Sequence, residues 1–290
     1  MQSETPDMPI TSDWHIHTHH SCDVASLQVA DLIAGAREQG ITDLGITDHL
    51  HTPYNLPDLA ASRQEFLAAA PSERLHFAVE VSCVTRWELE EIARGQHAEP
   101  VYGIRQGGPP GGPLAIGLEQ EHLAALGIEY VVGGAHWPLY VPLEREAVIR
   151  DYHRQNMFLA THPLVDIVAH PWWWMGAWQD ADGRYTTDPW LGDFRVIPQS
   201  LHEEFAAAVR EGGKVVEINL GAMVLSRAYP ERFQRQYLEY LAWLQERGVR
   251  MCAGSDCHGA RYQMDFPRAA ELLASVGIKD AELWRLPPRP

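Results

Sequence analysis

At 290 residues, 46% of them hydrophobic, with a formal net charge of −16, the chain can bury a substantial core in one large or two smaller α/β domains. The acidic balance opposes non-specific binding to nucleic acid or anionic membranes, and no apolar run approaches the roughly 20 residues of a membrane helix. The polar, acidic N-terminus does not read as a signal peptide. Cys22, Cys83, Cys252 and Cys257 lack CxxC spacing, so a cytoplasmic protein with reduced thiols is expected.

Residues 1–11 read as a polar tail. The first strand carries Asp13-Trp-His15-Ile-His17, and two histidines two residues apart leave the same face of a strand. Asp23 adds a carboxylate just beyond, and imidazoles with an oxygen ligand suit Zn²⁺ and similar ions. Apolar spacing predicts a helix over Leu27–Gln39, stopped by Gly40. The strand Leu44–His49 runs straight into Asp48-His49, the same device again. A helix over Leu59–Ala70 and a strand over His76–Val84 follow. Glu80 lies in the middle of that apolar strand, where a charge is costly unless paired or bound to a metal. Residues 95–117, centred on Gly107–Pro113, break the rhythm and read as an insertion; its prolines lack the N–H donors of a phosphate cradle.

Glu119–Ala125 is expected to be helical, Tyr130–Trp137 a strand ending at His136, and Glu144–Leu159 a long helix. Val165–His170 repeats the histidine-ended strand. Residues 172–198 hold Trp172, Trp173, Trp174, Trp178 and Trp190. They suit either a pocket wall or lid or a satellite core under a long loop. Ser200 and Glu203 form the pattern of a capping box opening a helix to Arg210, with Gly212-Gly213 ending it. The strand Lys214–Leu220 puts Glu217 and Asn219 on one face. A helix over Glu231–Glu246 leads to the strand Val249–His258, whose Asp256 and His258 share a face. A helix over Pro267–Ser275 precedes a Pro-rich tail at 285–290.

Seven strands alternating with helices imply parallel pairing with right-handed crossovers. The polar groups recur at strand ends, where α/β barrels build their active sites. A doubly wound sheet would gather them from fewer strands. The expectation is a single-domain, distorted seven-stranded (β/α)7 TIM-like barrel. Its strand ends supply His15, His17, Asp23, His49, Glu80, His136, His170, Asp256 and His258, a set that suits two or three divalent ions sharing a carboxylate.

His-Ile-His-Thr, Gly-Ile-Thr-Asp-His, Val-Glu, Gly-Ala-His, Asp-Ile-Val-Ala-His and Gly-Ser-Asp-Cys-His occur here in the order of the PHP (polymerase and histidinol phosphatase) family. The resemblance covers roughly Ile10 to Gly259. It implies a trinuclear metal centre, and mixed His/carboxylate sites accept Zn, Mn or Fe. His15, His17, Glu80 and Asp256 would hold the first ion. Glu80 would bridge to a second held by His136 and His170, and Asp23, His49 and His258 would hold the third. Asp48 would support His49 or a neighbour. Glu80, Asp256 and His258 are read as catalytic as well as ligating.

The histidinol-phosphatase branch is similar around Glu217–Pro230. That similarity implies Arg227 as a phosphate contact, with Arg184 or Arg195 from the loop beside it, and Asn219 is read as a substrate-binding residue. His19 and His20 are candidates for substrate contact and for protonating a leaving alcohol. The chain departs from the family at the Gly/Pro insertion, at Pro171–Trp174 and at Asn219-Leu220-Gly221. The expected activity is hydrolysis of a small, anionic phosphomonoester resembling histidinol phosphate by a metal-bridging hydroxide. A lactone, amide or cyclic phosphodiester hydrolase is the alternative, and a metal-stabilised binding module is a weaker one.

Overall fold

Residues on both faces of most strands are buried, the pattern of parallel strands covered on two sides. A computed structural model describes residues 9–287, apart from 24, 70, 71, 73, 96, 98, 99, 105 and 175–188. Its larger sheet has six parallel strands in the order β11 (Arg250–Gly254), β10 (Val215–Asn219), β9 (Ile167–Ala169), β8 (Val131–Gly134), β5 (Val79–Ser82), β3 (His49–Leu50). A second parallel sheet holds β1 (Ser12–Ile16), β2 (Asp43–Ile46) and β4 (Leu75–Phe77). The fold is therefore α/β with parallel sheets. Where the expectation is one closed ring of seven strands, the described residues form two parallel sheets. Thr47-Asp48 separates β2 from β3, and Ala78 separates β4 from β5. Beyond β11, the Asp256 amide donates to the His15 carbonyl at 2.8 Å and the His17 amide to Cys257 at 3.1 Å, tying the first strand to the last.

The crossover helices are α1 (Val29–Gln39), α2 (Leu56–Ala68), α3 (Arg86–Ala93), α4 (Gln120–Leu126), α5 (Arg145–Thr161), α6 (Gln199–Glu211) and α7 (Glu231–Glu246), with α8 (Phe266–Ala274) after β11. α7 buries Phe233, Tyr237, Leu241 and Leu244 on one stripe, the spacing of an amphipathic helix. Helix α3 was not anticipated, although Thr85-x-x-Glu88 opens it: the Thr85 hydroxyl accepts from the Glu88 amide at 3.2 Å. Conversely, the capping box read at Ser200 does not form, because α6 starts at Gln199 after Pro198 without a side-chain cap.

Both predicted tails are partly anchored. Ile10 is buried in the core, and the Thr11 amide donates to Asp280 at 3.1 Å. Trp284 and Leu286 pack against a small cluster of Trp14, Ala78, Tyr130, Val132, Ile167, Ala169, Val215 and Cys252. The insertion is also held. The buried Glu88 carboxylate accepts from the Ile104 amide at 2.6 Å, and β7 (Leu114–Ala115) pairs antiparallel with β6 (Val84–Thr85).

The small cluster forms the floor of the functional site. Ala78 and Glu80, Val132 and Gly134, Val215, Glu217 and Asn219, and Cys252 and Gly254 alternate along their strands, so each set faces the same side. On β1 the alternation breaks: Asp13 to Ile16 spans three steps while Leu44 to Ile46 on β2 spans two. An extra residue of this kind re-aims a side chain. It lets Trp14 join the floor while its neighbour His15 enters the site.

The tryptophan-rich stretch divides. Trp172, Trp174 and Trp190 are buried in the main core, while Trp178 lies outside the described residues. Among these rings sits His202 on α6, with centroids 4.6 Å from Tyr240, 5.5 Å from Phe194 and 5.6 Å from Trp172. Burial pushes its pKa from 6.5 down to about 4, so the folded state holds it neutral. As pH falls from 6.5 to 4 the unfolded chain takes up a proton that the fold refuses, and stability is lost across that window and no further below it. The loss is about 3 kcal/mol. Unfolding free energies of the wild type and His202→Phe should diverge from pH 4 to 6.5 with the wild type gaining as pH rises. A pH-independent difference would refute the assignment.

Candidate metal centre

Glu80 lies at the middle of the site and is fully buried. Its Oε2 is 3.1 Å from His15 Nε2, 3.4 Å from His17 Nε2 and 2.9 Å from His49 Nδ1. Its Oε1 is 3.1 Å from His136 Nε2 and 2.9 Å from His170 Nε2. Asp256 Oδ1 approaches His17 Nε2 at 3.2 Å and His15 Nε2 at 3.6 Å. Asp23 Oδ2 stands 3.3 Å from His49 Nε2 and 2.6 Å from His258 Nε2. All nine residues expected as ligands are thus joined in one continuous set. Side-chain exposure rises from 0–2% at Glu80, His17 and His15 to 18% at Asp23 and 28% at His258, so the centre opens on the Asp23–His258 side.

The outward nitrogens fix the rings. His15 Nδ1 is 2.6 Å from Glu217 Oε1, His17 Nδ1 3.2 Å from Ser21 Oγ, and His136 Nδ1 2.9 Å from Ser82 Oγ. His258 Nδ1 is 2.9 Å from the Asp256 carbonyl. With Nδ1–H donating outward, each Nε2, once deprotonated, would offer its lone pair to an ion, the arrangement that orients histidines at metal sites. Two candidate ligands also hold uncommon backbone: φ is +28° at His170 and +55° at Asp256, a region that non-glycine residues occupy at a cost. The His170 amide is gripped by Glu217 Oε2 at 2.7 Å, and the Asp256 amide by the His15 carbonyl.

Charge is tightly balanced. Burial and the neighbouring His258 and His49 push His17 down to about 3, and burial takes His136 to about 4 against the pull of Glu80. At His49 burial is outweighed by Glu80 and Asp23, which raise it to about 10. His15, His136 and His49 overcome burial to hold Glu80 well below the usual carboxylate range. Divalent ions would replace the protons that otherwise neutralise such a cluster.

Three observations fit that replacement. Glu80 Oε2, His49 Nδ1 and His136 Nε2 are buried without hydrogen-bond partners, and unsatisfied buried groups are otherwise costly. The triads His15–His17–Glu80, His49–Glu80–His136 and His17–His49–His258 each converge closely enough for one ion. Gly134 leaves a space that a methyl group would fill, since a Cβ there would lie 2.7 Å from Glu80 Oε1 and 2.8 Å from the Cε1 atoms of His136 and His170.

Other expected residues are placed differently. Asn219 is buried with its carboxamide committed: Nδ2 donates to Asp256 Oδ2 at 3.0 Å and Glu217 Oε2 at 3.2 Å, and Oδ1 accepts from Ala222 at 2.8 Å. It braces Asp256. Asp48 accepts from the Thr18 amide at 2.5 Å, the Thr18 hydroxyl at 2.7 Å and Ser62 at 2.5 Å, so it fixes the residue after His17 and not His49 itself. The contacts of His19 and His20 run to Glu65. Arg227 is exposed, Arg195 pairs with Glu239 at 3.1 Å on the surface, and Arg184 lies outside the described residues.

Two supporting residues went unassigned in the sequence. Glu217 repeats the signal of Glu80, a carboxylate within an apolar strand. His51 repeats the His-x-His spacing in His49-Leu-His51. Its Nδ1 is 2.6 Å from Ser82 Oγ, the hydroxyl that also meets His136, and its ring stacks on His49 at 4.4 Å. The Trp173 ring closes the wall, 5.2 Å from His170 and 5.9 Å from His136.

No family model and no curated protein matches the chain. Among solved structures, a Listeria monocytogenes protein proposed to be a histidinol phosphatase is similar over 86% of this chain and 95% of its own, with a TM-score of 0.56 and 12% identity. An Agrobacterium tumefaciens protein matches over 95% of this chain and 92% of its own, with a TM-score of 0.44 and 13% identity. The first similarity shows a shared fold. Fold and site together define an α/β protein with parallel sheets and buried His/carboxylate groups able to hold metal ions. No helix among the described residues is long and apolar enough to cross a membrane.

Proposed function

We propose that the chain is a PHP-family metal-dependent hydrolase acting on a small, anionic phosphomonoester of the histidinol-phosphate type. The observation that carries this reading is the convergence of five imidazole nitrogens on the two oxygens of Glu80, with the outer nitrogens of His15, His17 and His136 held by Glu217, Ser21 and Ser82. His15, His17, Glu80 and Asp256 would hold one ion, Glu80, His136 and His170 a second, and Asp23, His49 and His258 a third. Such ions supply positive charge for an anionic substrate and activate water near neutral pH. Glu217 and Asn219 keep His15 and Asp256 in place, and Ser82 with His51 keeps His136 in place. Substrate would enter past Asp23 and His258, with Arg227 as a candidate phosphate contact. The net charge of −16 speaks against nucleic-acid or membrane partners.

Trp173 beside His136 and His170 favours a second reading, in which a ring-bearing lactone, amide or cyclic phosphodiester is hydrolysed at the same centre. Phosphate release by metal-loaded protein from a phosphomonoester panel including histidinol phosphate, with Asp256→Asn as the blank, separates the two. Fast turnover of one member, lost in the variant, is expected. Release at the level of the blank by protein with full metal content would defeat the phosphomonoesterase reading.

A further inference from the structure

A second group of ligand-type side chains stands apart from the Glu80 cluster. Thr18 is locked by Asp48, and the chain then turns so that His19 and His20 both face helix α2. The His19 amide donates to the Leu27 carbonyl at 2.9 Å, the His20 amide to the Thr18 hydroxyl at 3.3 Å, and the two rings lie 4.0 Å apart. Both reach one oxygen of Glu65: His20 Nε2 lies 2.8 Å and His19 Nδ1 3.5 Å from Oε2. The other oxygen, Oε1, is engaged by the Val29 amide at 3.1 Å, which fixes the carboxylate with Oε2 toward the histidines. His19 Nδ1 is buried and has no hydrogen-bond partner, although its ring is partly exposed.

We propose that His19, His20 and Glu65 form a separate site for a borderline divalent cation, Zn²⁺ being the natural choice. Two imidazole nitrogens and one carboxylate oxygen are the ligand set such ions prefer, with a fourth position open to solvent. Separations of 2.8 and 3.5 Å match those between ligands about 2 Å from a common ion. An ion here would satisfy His19 Nδ1, which a simple His20–Glu65 pair leaves unmatched. It would also clamp the segment leading to Asp23 onto α2 and the start of α1, joining this site mechanically to the Asp23–His49–His258 group. The two histidines then serve as ligands, a role distinct from contacting substrate.

The test counts tightly bound zinc in the full chain after loading and passage through a micromolar chelator buffer, comparing wild type with Glu65→Gln. The variant should hold one zinc fewer per chain. The same decrement should recur when Glu65→Gln is placed in the Asp256→Asn background, so this site is scored independently of the Glu80 centre and of any activity. If Glu65→Gln does not fold, as judged by circular dichroism, His20→Asn replaces it with the same expected decrement. Equal zinc content in variant and parent, or a difference seen only at millimolar zinc, would overturn the proposal and leave an ordinary ion pair.

Discussion

Glu80→Gln is expected to lower turnover by about 10³-fold, the scale on which a preorganised charged group at a reacting centre acts, and to strip metal from the protein. The amide keeps the shape of the side chain but loses the charge that His15, His17, His49, His136 and His170 all face within 3.4 Å. One of its two oxygens also becomes an NH2 group that no ion accepts as a ligand. Because the two oxygens face different histidine groups, the change should cost ions from both, whereas Asp256→Asn should weaken the His15–His17 group more than the His136–His170 group. Metal analysis after loading, alongside turnover of the best substrate, checks this. Retention of the full ion count with turnover within tenfold of wild type would mean that Glu80 is not the shared ligand.

Gly134→Ala should be nearly as damaging, although it removes no ligand. The new methyl would sit 2.7–2.8 Å from atoms of Glu80, His136 and His170, closer than carbon tolerates. None of the three can retreat easily. His136 is pinned by Ser82, His170 by the Glu217 grip on its amide and by its left-handed backbone, and Glu80 by the histidines around it. Loss of affinity in the His136–His170 group by about 100-fold, the upper range for disturbing the support of a metal site, is the expected result. Titrating the loaded protein with a chelator should reveal one weakened ion while the His15–His17 group holds. An unaltered titration would show that the backbone of β8 can shift at little cost, and would weaken the placement of an ion beside Gly134.

Much of the site was legible because its signals are local. A His-x-His pair, a strand running into Asp-His and a carboxylate inside an apolar run are each visible without knowing what lies across the sheet. Parallel strands then carry such groups to a common end, and all nine ligand candidates meet there. The alternation of strands and helices likewise announced an α/β fold.

What the sequence left open depends on partners distant in the chain. Glu217 and Asn219 share a strand face, yet their partners are set by β9 and β11, which bring His170 and Asp256 against them. Trp172, Trp173 and Trp174 are indistinguishable as residues. The turn after β9, with φ of +72° at Trp172, sends the first and third into the core and the second to the centre. His19 and His20 read like extensions of the first motif, but Asp48 holds Thr18 and turns them toward α2. The extra residue in β1 that aims both Trp14 and His15 inward is visible only against the register of β2. The chain itself determined which chemical groups are available and which end of the strands carries them. Tertiary structure decided which of those groups touch, because register, crossovers and backbone strain are set by contacts between residues far apart in sequence.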